Sequence, residues 1–367
     1  MRYVTALTVA LLFAMDPTLQ AAEQANKPPN LEHIAVWVGN LEQTSAFLTD
    51  ALGWSRSPLV FGVGKDWNEF GGMKLAFINA NGLWLELVQP TTPGPGMDLL
   101  QSKGPGALVE LDFHVADLNE TIAGLRARGI EPVGMDGKPL RKGGLLTEWY
   151  LANGTRGSGD ERLAYVPLDV SHGTSVELFW EYPSGVVLRR DAIWKRTGVE
   201  PSRTVPRLDH VVVLAADLEK TSKFYTSVLG LKRIRLTQGL PRAWMHSRMR
   251  HAWLKANDKN FWIELISPRT PSSGGKLLHA LGDGAIVELD AEVPNINAFY
   301  DQMKQKGINM TAGDGTPLPA GKKSVLTPSG DRFCYFPRDK SAGMRIMIFQ
   351  RGSASSIFSR RDEAATN

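Results

Sequence analysis

An α+β fold built from four βαβββ units, arranged as two tandem modules, is predicted for this chain of 367 residues. Three observations predict it. The stretch "LEHIAVWVGNLEQTSAFLTDALGW" from Leu31 returns as "LDHVVVLAADLEKTSKFYTSVLGL" from Leu208. Glu86 follows His33 by 53 residues and Glu264 follows His210 by 54; "GALVELDFHV" with Glu110 and "GAIVELDAEV" with Glu288 then come 24 residues after each. Within each copy, a period-2 strand, a helical spacing and further strands restart halfway along, so the repeated unit is itself double.

The elements follow in order. "LEHIAVWV" alternates as a strand, and "NLEQTSAFLTDALGW" places apolar residues three and four apart until Gly53 stops it, as a short amphipathic helix does. Three strands follow: one from Trp54, then "MKLAFINA" and "LWLELVQ". The second unit reads "ALVELDFHV", the helix "DLNETIAGLRARG", then "LLTEWYLA", "RLAYVPL" and "TSVELFWE". The modules span 31–182 and 207–350. Residues 23–30 and 183–206 are read as linkers, the second from its Pro, Gly and charge content. Residues 351–367 are expected to form a disordered tail. The stretch "NGTRGSGDERL" is expected as a solvated loop in the last hairpin of the second unit, with a lid over the site as the functional alternative.

Composition narrows the class. Hydrophobic residues make up 43% and charged residues 22%, values of a folded globular protein. The net charge of +4 comes from 42 basic and 38 acidic residues spread along the chain, which gives no nucleic-acid footprint. Arg2, the 12-residue apolar run "VTALTVALLFAM" and the small residues Ala21 and Ala22 make residues 1–22 a signal peptide, and the run is too short to anchor the chain in a bilayer. A periplasmic or secreted location is therefore expected. With Cys334 the one cysteine, no intramolecular disulfide forms.

The H-x-x-x-x-V/A-x-D/N-L start, the helix ending in "LG", the apolar-Glu-Leu strand and the G-x-x-x-E-L finish resemble the vicinal oxygen chelate superfamily of glyoxalases, epimerases, extradiol dioxygenases and bleomycin-resistance proteins. The resemblance covers nearly all of the chain after residue 30. It implies that paired units curl into an open, eight-stranded, cup-like sheet with ligands on the concave face. It also implies a divalent cation, Fe, Mn, Zn or Mg, held by one residue from the first strand and one from the last strand of each unit. Carried over by position, the ligands are His33, Glu86, Glu110 and Glu177 in the first module. His210, Glu264 and Glu288 are their equivalents in the second, where Met347 stands at the last place. Pairing of units one with two, or an exchange that joins Glu110 and Glu177 to His210 and Glu264, is left open.

Strand alternation turns Glu110, Asp112 and His114 to one face. Three polar side chains in a row on a concave wall need a cation, a hydrogen-bond partner or water. Glu177 and His114 are the candidate proton carriers; Trp37, Trp84, Asp112 and Phe179 are the expected walls of the ligand pocket. A metal-dependent lyase or isomerase acting on a small oxygenated, possibly aromatic compound is the resulting expectation. A non-haem iron dioxygenase and a non-catalytic sequestering protein are the alternatives. A small-molecule substrate, no nucleic acid, no stable membrane insertion and a monomer or homodimer complete it.

Overall fold

The computed structural model describes residues 28–63, 72–81, 83–134, 137–140, 145–151, 156–181, 205–234, 249–258, 260–268, 273–352, 356, 358–359 and 361–362. The signal peptide of the sequence reading and nearly all of its 183–206 linker lie outside them. The first unit is β1 (Asn30–Trp37), α1 (Leu41–Leu52), β2 (Ser55–Val63), β3 (Met73–Asn79) and β4 (Trp84–Pro90). A linking helix α2 (Pro95–Lys103) leads to β5 (Ala107–His114), α3 (Leu118–Ala127), β6 (Leu145–Leu151), β7 (Arg156–Tyr165) and β8 (Ser175–Glu181). The second module repeats this as β9 (Arg207–Leu214), α4 (Leu218–Ser227), β10 (Lys232–Ile234), β11 (Met249–Lys255) and β12 (Trp262–Pro268). It continues through the linking helix α5 (Ser273–Leu281) to β13 (Ile286–Glu292), α6 (Ile296–Gln305), β14 (Val325–Leu326), β15 (Arg332–Tyr335) and β16 (Ile346–Gln350). The fold is α+β with four βαβββ units, as the repeats predict. The stretch from Arg156 in the expected loop is strand β7, paired with β6 and β8.

The D/N in the repeated motif has a local cause. Asn40, Asp117, Asp217 and Asn295 are the N-caps of α1, α3, α4 and α6, each extended in φ/ψ with its side-chain oxygen accepting a backbone N–H of the first turn. Such caps contribute roughly 1 kcal/mol each and mark where the strand stops and the helix starts. The helices cover one face of the sheet. Ile34 and Val36 of the first strand, with Val38 just after it, pack there with Leu41, Leu48 and Leu52 of α1, and Val211 and Val213 do the same with Leu218, Phe224 and Tyr225. His33, Ala35 and Trp37 are left on the concave face, where Ala35 and Trp37 form a separate cluster with Phe77 and Trp84.

Unit pairing, open at the level of sequence, is decided by hydrogen bonds. β1 pairs antiparallel with β5, and β9 with β13, so units one and two share a sheet, as do three and four. The first sheet runs β2-β3-β4-β1-β5-β8-β7-β6, and at its rim β2 also touches β6 through Phe61↔Leu151 and Gly62↔Tyr150. The second runs β10-β11-β12-β9-β13-β16-β15-β14. The modules meet edge to edge: Leu31 N–H donates to Ala256 O at 2.9 Å, and Leu208 N–H reciprocally to Ala80 O at 2.9 Å. One continuous apolar cluster spans both modules.

Glycines make this contact possible. A Cβ on Gly343 (φ +90°) would lie 1.9 Å from Pro105 O, and one on Gly106 (φ +79°) 2.3 Å from Met344 N. Gly173 and Gly284 form the second such crossing. Gly315 has a similar φ of +82° with open space around it. Gly315→Ala is therefore expected to destabilise by the backbone penalty alone, about 1–2 kcal/mol. Gly343→Ala is expected to add an overpacking penalty of about 1–3 kcal/mol, read as a larger fall in the urea midpoint.

Candidate metal centre

The concave face of the first module carries one row of side chains across five strands. Cα pairing runs Trp84↔His33 from β4 to β1, His33↔Asp112 to β5, Asp112↔Glu177 to β8 and Glu177↔Tyr165 to β7. The second module aligns Trp262, His210, Asp290, Met347 and Tyr335 in the same way. Asp112, assigned to the pocket wall by sequence, thus lies directly across from His33. Glu110, which positional matching makes the ligand, faces Ala35 one step along.

A bulge then completes each histidine. Simple alternation turns Glu32 away from the cup, but the β1–β5 register slips between Leu31 and His33, and the β9–β13 register slips equivalently at Asp209. A bulged residue is re-aimed relative to the regular pleat. Glu32 Oε2 lies 2.6 Å from His33 Nδ1, and Asp209 Oδ2 lies 2.8 Å from His210 Nδ1. A carboxylate accepting from Nδ1–H orients the neutral ring and leaves Nε2 as the ligating atom, the arrangement that supports metal-bound histidines.

His33 Nε2 lies 3.2 Å from Asp112 Oδ2 and 3.6 Å from Glu86 Oε2. Ligand atoms around one cation at about 2.0–2.2 Å stand roughly 3–3.5 Å apart in tetrahedral or octahedral geometry, so the three converge at a fitting spacing. Asp112 Oδ2 is buried and accepts no hydrogen bond; His33 approaches it without the alignment of one. An orphaned carboxylate oxygen beside an imidazole nitrogen suits a third atom between them. Glu110, Asp112 and Glu177 form an adjoining group, with ligand atoms within 4.8 Å of one another, and Tyr165 donates to Glu177 Oε2 at 2.5 Å. The residues present fit a divalent cation.

Charge crowding appears in the acid–base properties. Burial pushes the Asp112 carboxyl well above its ordinary range, reinforced by Glu110, Glu177 and Glu86 and opposed by His33. Burial likewise raises Glu110. The His33 imidazole is depressed by burial, yet Asp112, Glu32 and Glu86 together hold it well above its ordinary value. His114, at the end of β5, is lowered by burial; its ring meets the Phe179 edge at 5.3 Å, and it belongs to neither ligand group. Phe179 also lies 5.4 Å from the His33 ring, and Phe77 lies 5.6 Å away on another side. Trp37 and Trp84 pack with Phe77 on the same face. Tryptophan and phenylalanine walls thus surround the row.

The second cup has the same plan and a different filling. His210, Glu264 and Asp290 form a group, with His210 Nε2 2.6 Å from Asp290 and 3.6 Å from Glu264. Here the protein supplies its own cations. Arg361 forks onto Asp209 at 2.7 and 3.1 Å, Arg207 and Arg351 reach the same carboxylate, and Arg345 bonds Glu288. His210 is depressed by burial but raised by Asp290 and Asp209 to about 10. The described residues Phe358 and Arg361 of the tail expected to be disordered fold into this cup. Phe358 and Arg361 are both fully buried, Phe358 stacks 4.2 Å from Phe349 and 5.7 Å from His210, and the Arg361 guanidinium lies over Trp262 and Trp253. Three consecutive charges, "RRD", hide this from a composition-based reading, because pairing with Asp209 is a long-range event. His33 is 4% exposed against 0% for His210, and the Glu86 side chain keeps 12% against 2% for Glu264, so the first cup is the less completely buried of the two.

Glu32, Asp209, Tyr165 and Tyr335 are absent from the sequence-derived set. The signals were present as repeated doublets: an acid before each histidine, and "Y-V-P-L-D" matched by "Y-F-P-R-D". Two outcomes follow from the contrast between the cups. Divalent cation bound to the purified protein, read by elemental analysis, is expected to fall in His33→Ala and to be unchanged in His210→Ala. Arg361→Ala is expected to lower unfolding free energy by about 3 kcal/mol, because it removes the main partner of a buried carboxylate.

Comparison with known proteins agrees with this architecture. Residues 32–146 and 207–335 each match a family profile described as the Glyoxalase/Bleomycin resistance protein/Dioxygenase superfamily. A mutant of 4-hydroxymandelate synthase from Streptomyces coelicolor superposes with a TM-score of 0.54 at 16% identity, over 92% of this chain and 98% of that one. The Mn(II)-bound glyoxalase from Novosphingobium aromaticivorans gives 0.48 at 14% identity, over 88% and 82%. Methylmalonyl-CoA epimerase from Mycobacterium tuberculosis gives 0.33 at 19% identity, over 41% and 91%. No curated protein matches in sequence. Two matched segments and a shared two-module fold make this chain a member of the Glyoxalase/Bleomycin resistance protein/Dioxygenase superfamily, the vicinal oxygen chelate proteins, with its two modules in tandem.

Proposed function

We propose that the protein is a metal-dependent lyase or isomerase whose single working site is the first cup. One observation carries the reading: His33, Glu86 and Asp112 converge in the less completely buried cup, while the equivalent set in the second module is sealed and charge-balanced. His33 Nε2, Glu86 and Asp112 hold the cation, and Glu32 orients the imidazole. When bound, a divalent cation polarises vicinal substrate oxygens and stabilises negative charge that develops beside them.

The chain's own groups do the rest. Tyr165 fixes the Glu177 carboxylate by its 2.5 Å hydrogen bond, and Glu177 and His114 are the groups placed to move a proton at a substrate carbon. Phe77, Phe179, Trp37 and Trp84 supply flat apolar walls that exclude water and accommodate an aromatic or otherwise apolar substrate body. The signal-peptide grammar of residues 1–22 favours a substrate outside the cytoplasm, which disfavours glutathione and CoA conjugates. A dioxygenase reading is weaker, because the group has one imidazole where the iron facial triad uses two.

Proton exchange tests the proposal. Metal-loaded protein incubated in D₂O with a panel of small hydroxyketones and catechol-like compounds is expected to exchange the carbon-bound proton of at least one, followed by NMR. His33→Ala and Glu177→Gln are expected to lose about 10²- to 10⁴-fold of that rate. Oxygen uptake with the same panel supports the dioxygenase instead. Metal-free protein that binds ligand as tightly as the loaded form sinks both enzyme readings.

A further inference from the structure

We infer that the second cup is a binding site for an aromatic amidine or guanidine, and that the C-terminal arm carrying Phe358 and Arg361 is its tethered occupant, displaced by a free ligand of that class.

The arm is held as a ligand is held. Among the described residues it adds no strand to the sheet after β16. Its entry is clamped: Gly352 N–H donates to Asp331 Oδ1 at 2.8 Å, and the buried Asp331 accepts from Ser329 Oγ at 2.7 Å. Beyond the clamp, side chains make the attachment. Arg361 forks onto Asp209 at 2.7 and 3.1 Å, with its guanidinium 4.6 Å from the Trp262 ring centre and 5.0 Å from that of Trp253. Phe358 lies 4.2 Å from the Phe349 ring, 30° from parallel. A carboxylate facing a planar fork, two indole faces and an aromatic wall form a recognition set for a delocalised cation joined to a ring.

That set belongs to the second module alone. Trp253 lies opposite Glu264, whereas Phe77 lies opposite Glu86 in the first module, so the paired indoles are found in one cup only. The two oxygens of Asp209 also have unequal company. Arg207 and Arg351 both donate to Oδ1, at 2.9 and 3.2 Å, while Oδ2 has Arg361 at 2.7 Å and the His210 ring at 2.8 Å. With the arm withdrawn, a fully buried carboxylate oxygen keeps the imidazole and loses its guanidinium. A charged planar donor restores what is lost, and a neutral amide of the same shape does not.

The arm satisfies the carboxylate and leaves other groups of the cup unmet. Trp253 Nε1, Trp262 Nε1 and Asp290 Oδ1 have no hydrogen-bond partner among the described residues, and all three residues are at most 1% exposed. Side chains that belong permanently to a core pair such groups as a rule. A free ligand with a hydroxyl on its ring brings an acceptor for an indole N–H and a donor for Asp290. The cup therefore offers more than its own tail uses.

The whole chain tests this with 4-hydroxybenzamidine as the probe and the neutral 4-hydroxybenzamide as its control, both by calorimetric titration. The amidine is expected to bind Arg361→Ala about 10²-fold more tightly than the unaltered chain, because the mutation removes a tethered competitor. Phe358→Ala is expected to gain about 10-fold for the same reason. Asp209→Asn added to Arg361→Ala is expected to abolish the gain. Hydrogen exchange followed by mass spectrometry needs no variant: saturating amidine is expected to accelerate exchange over residues 353–367 of the unaltered chain. Unchanged exchange there at saturation overturns displacement of the arm. Equal binding of the amide overturns the ligand class, and no binding to the unaltered chain or to either variant overturns the site.

Discussion

Buried negative charge is the constraint on which the rest of this structure turns. Two cups of the same plan each place an imidazole and a row of carboxylates on a concave sheet face, and neither can leave those charges uncompensated. The second cup solves the problem internally. Arg361, Arg351 and Arg207 surround Asp209, Arg345 takes Glu288, and Phe358 closes the opening over His210. In the first cup, Ser175 stands at the place of Arg345, and Glu86 and Glu110 retain contact with solvent. On the proposed reading, compensation there arrives as a cation, and a nearly symmetric duplication ends in an asymmetric pair of sites.

The asymmetry is affordable because the modules support each other. The helix-facing apolar layer is continuous from Leu31 to Ile348, and the two crossings at Gly106/Gly343 and Gly173/Gly284 bring backbone to backbone. The second module therefore holds the first in place while its own cup is filled by aromatic rings and paired arginines. A cup packed in this way behaves as core: Trp253, Trp262, Met347, Phe349 and Phe358 form one apolar cluster.

Much of this was legible in sequence for a definite reason. The 53- and 54-residue spacings survive because strand and helix lengths are set locally, by alternation, by the Asn or Asp caps and by Gly53. His33, Glu86, Glu110 and Glu177 were all implied by position through the family resemblance, and the structure brings them onto one concave face in two adjoining groups. Asp112 was seen on the right face and assigned to the pocket wall, because alternation fixes which face a side chain takes without saying which residue lies opposite. Glu32 was invisible to alternation altogether, since a one-residue bulge reverses its direction.

By itself the sequence determined the four units, their duplication, the faces of their strands and the departure at Met347, all of which follow from residue spacing along the chain. Only tertiary structure decided that units one and two share a sheet, that Asp112 meets His33, and that Arg361 travels 152 positions to neutralise Asp209. The physical reason is the same in each case. Register, bulges and buried ion pairs depend on what lies across a strand or beyond a loop, and side-chain periodicity carries no record of that distance.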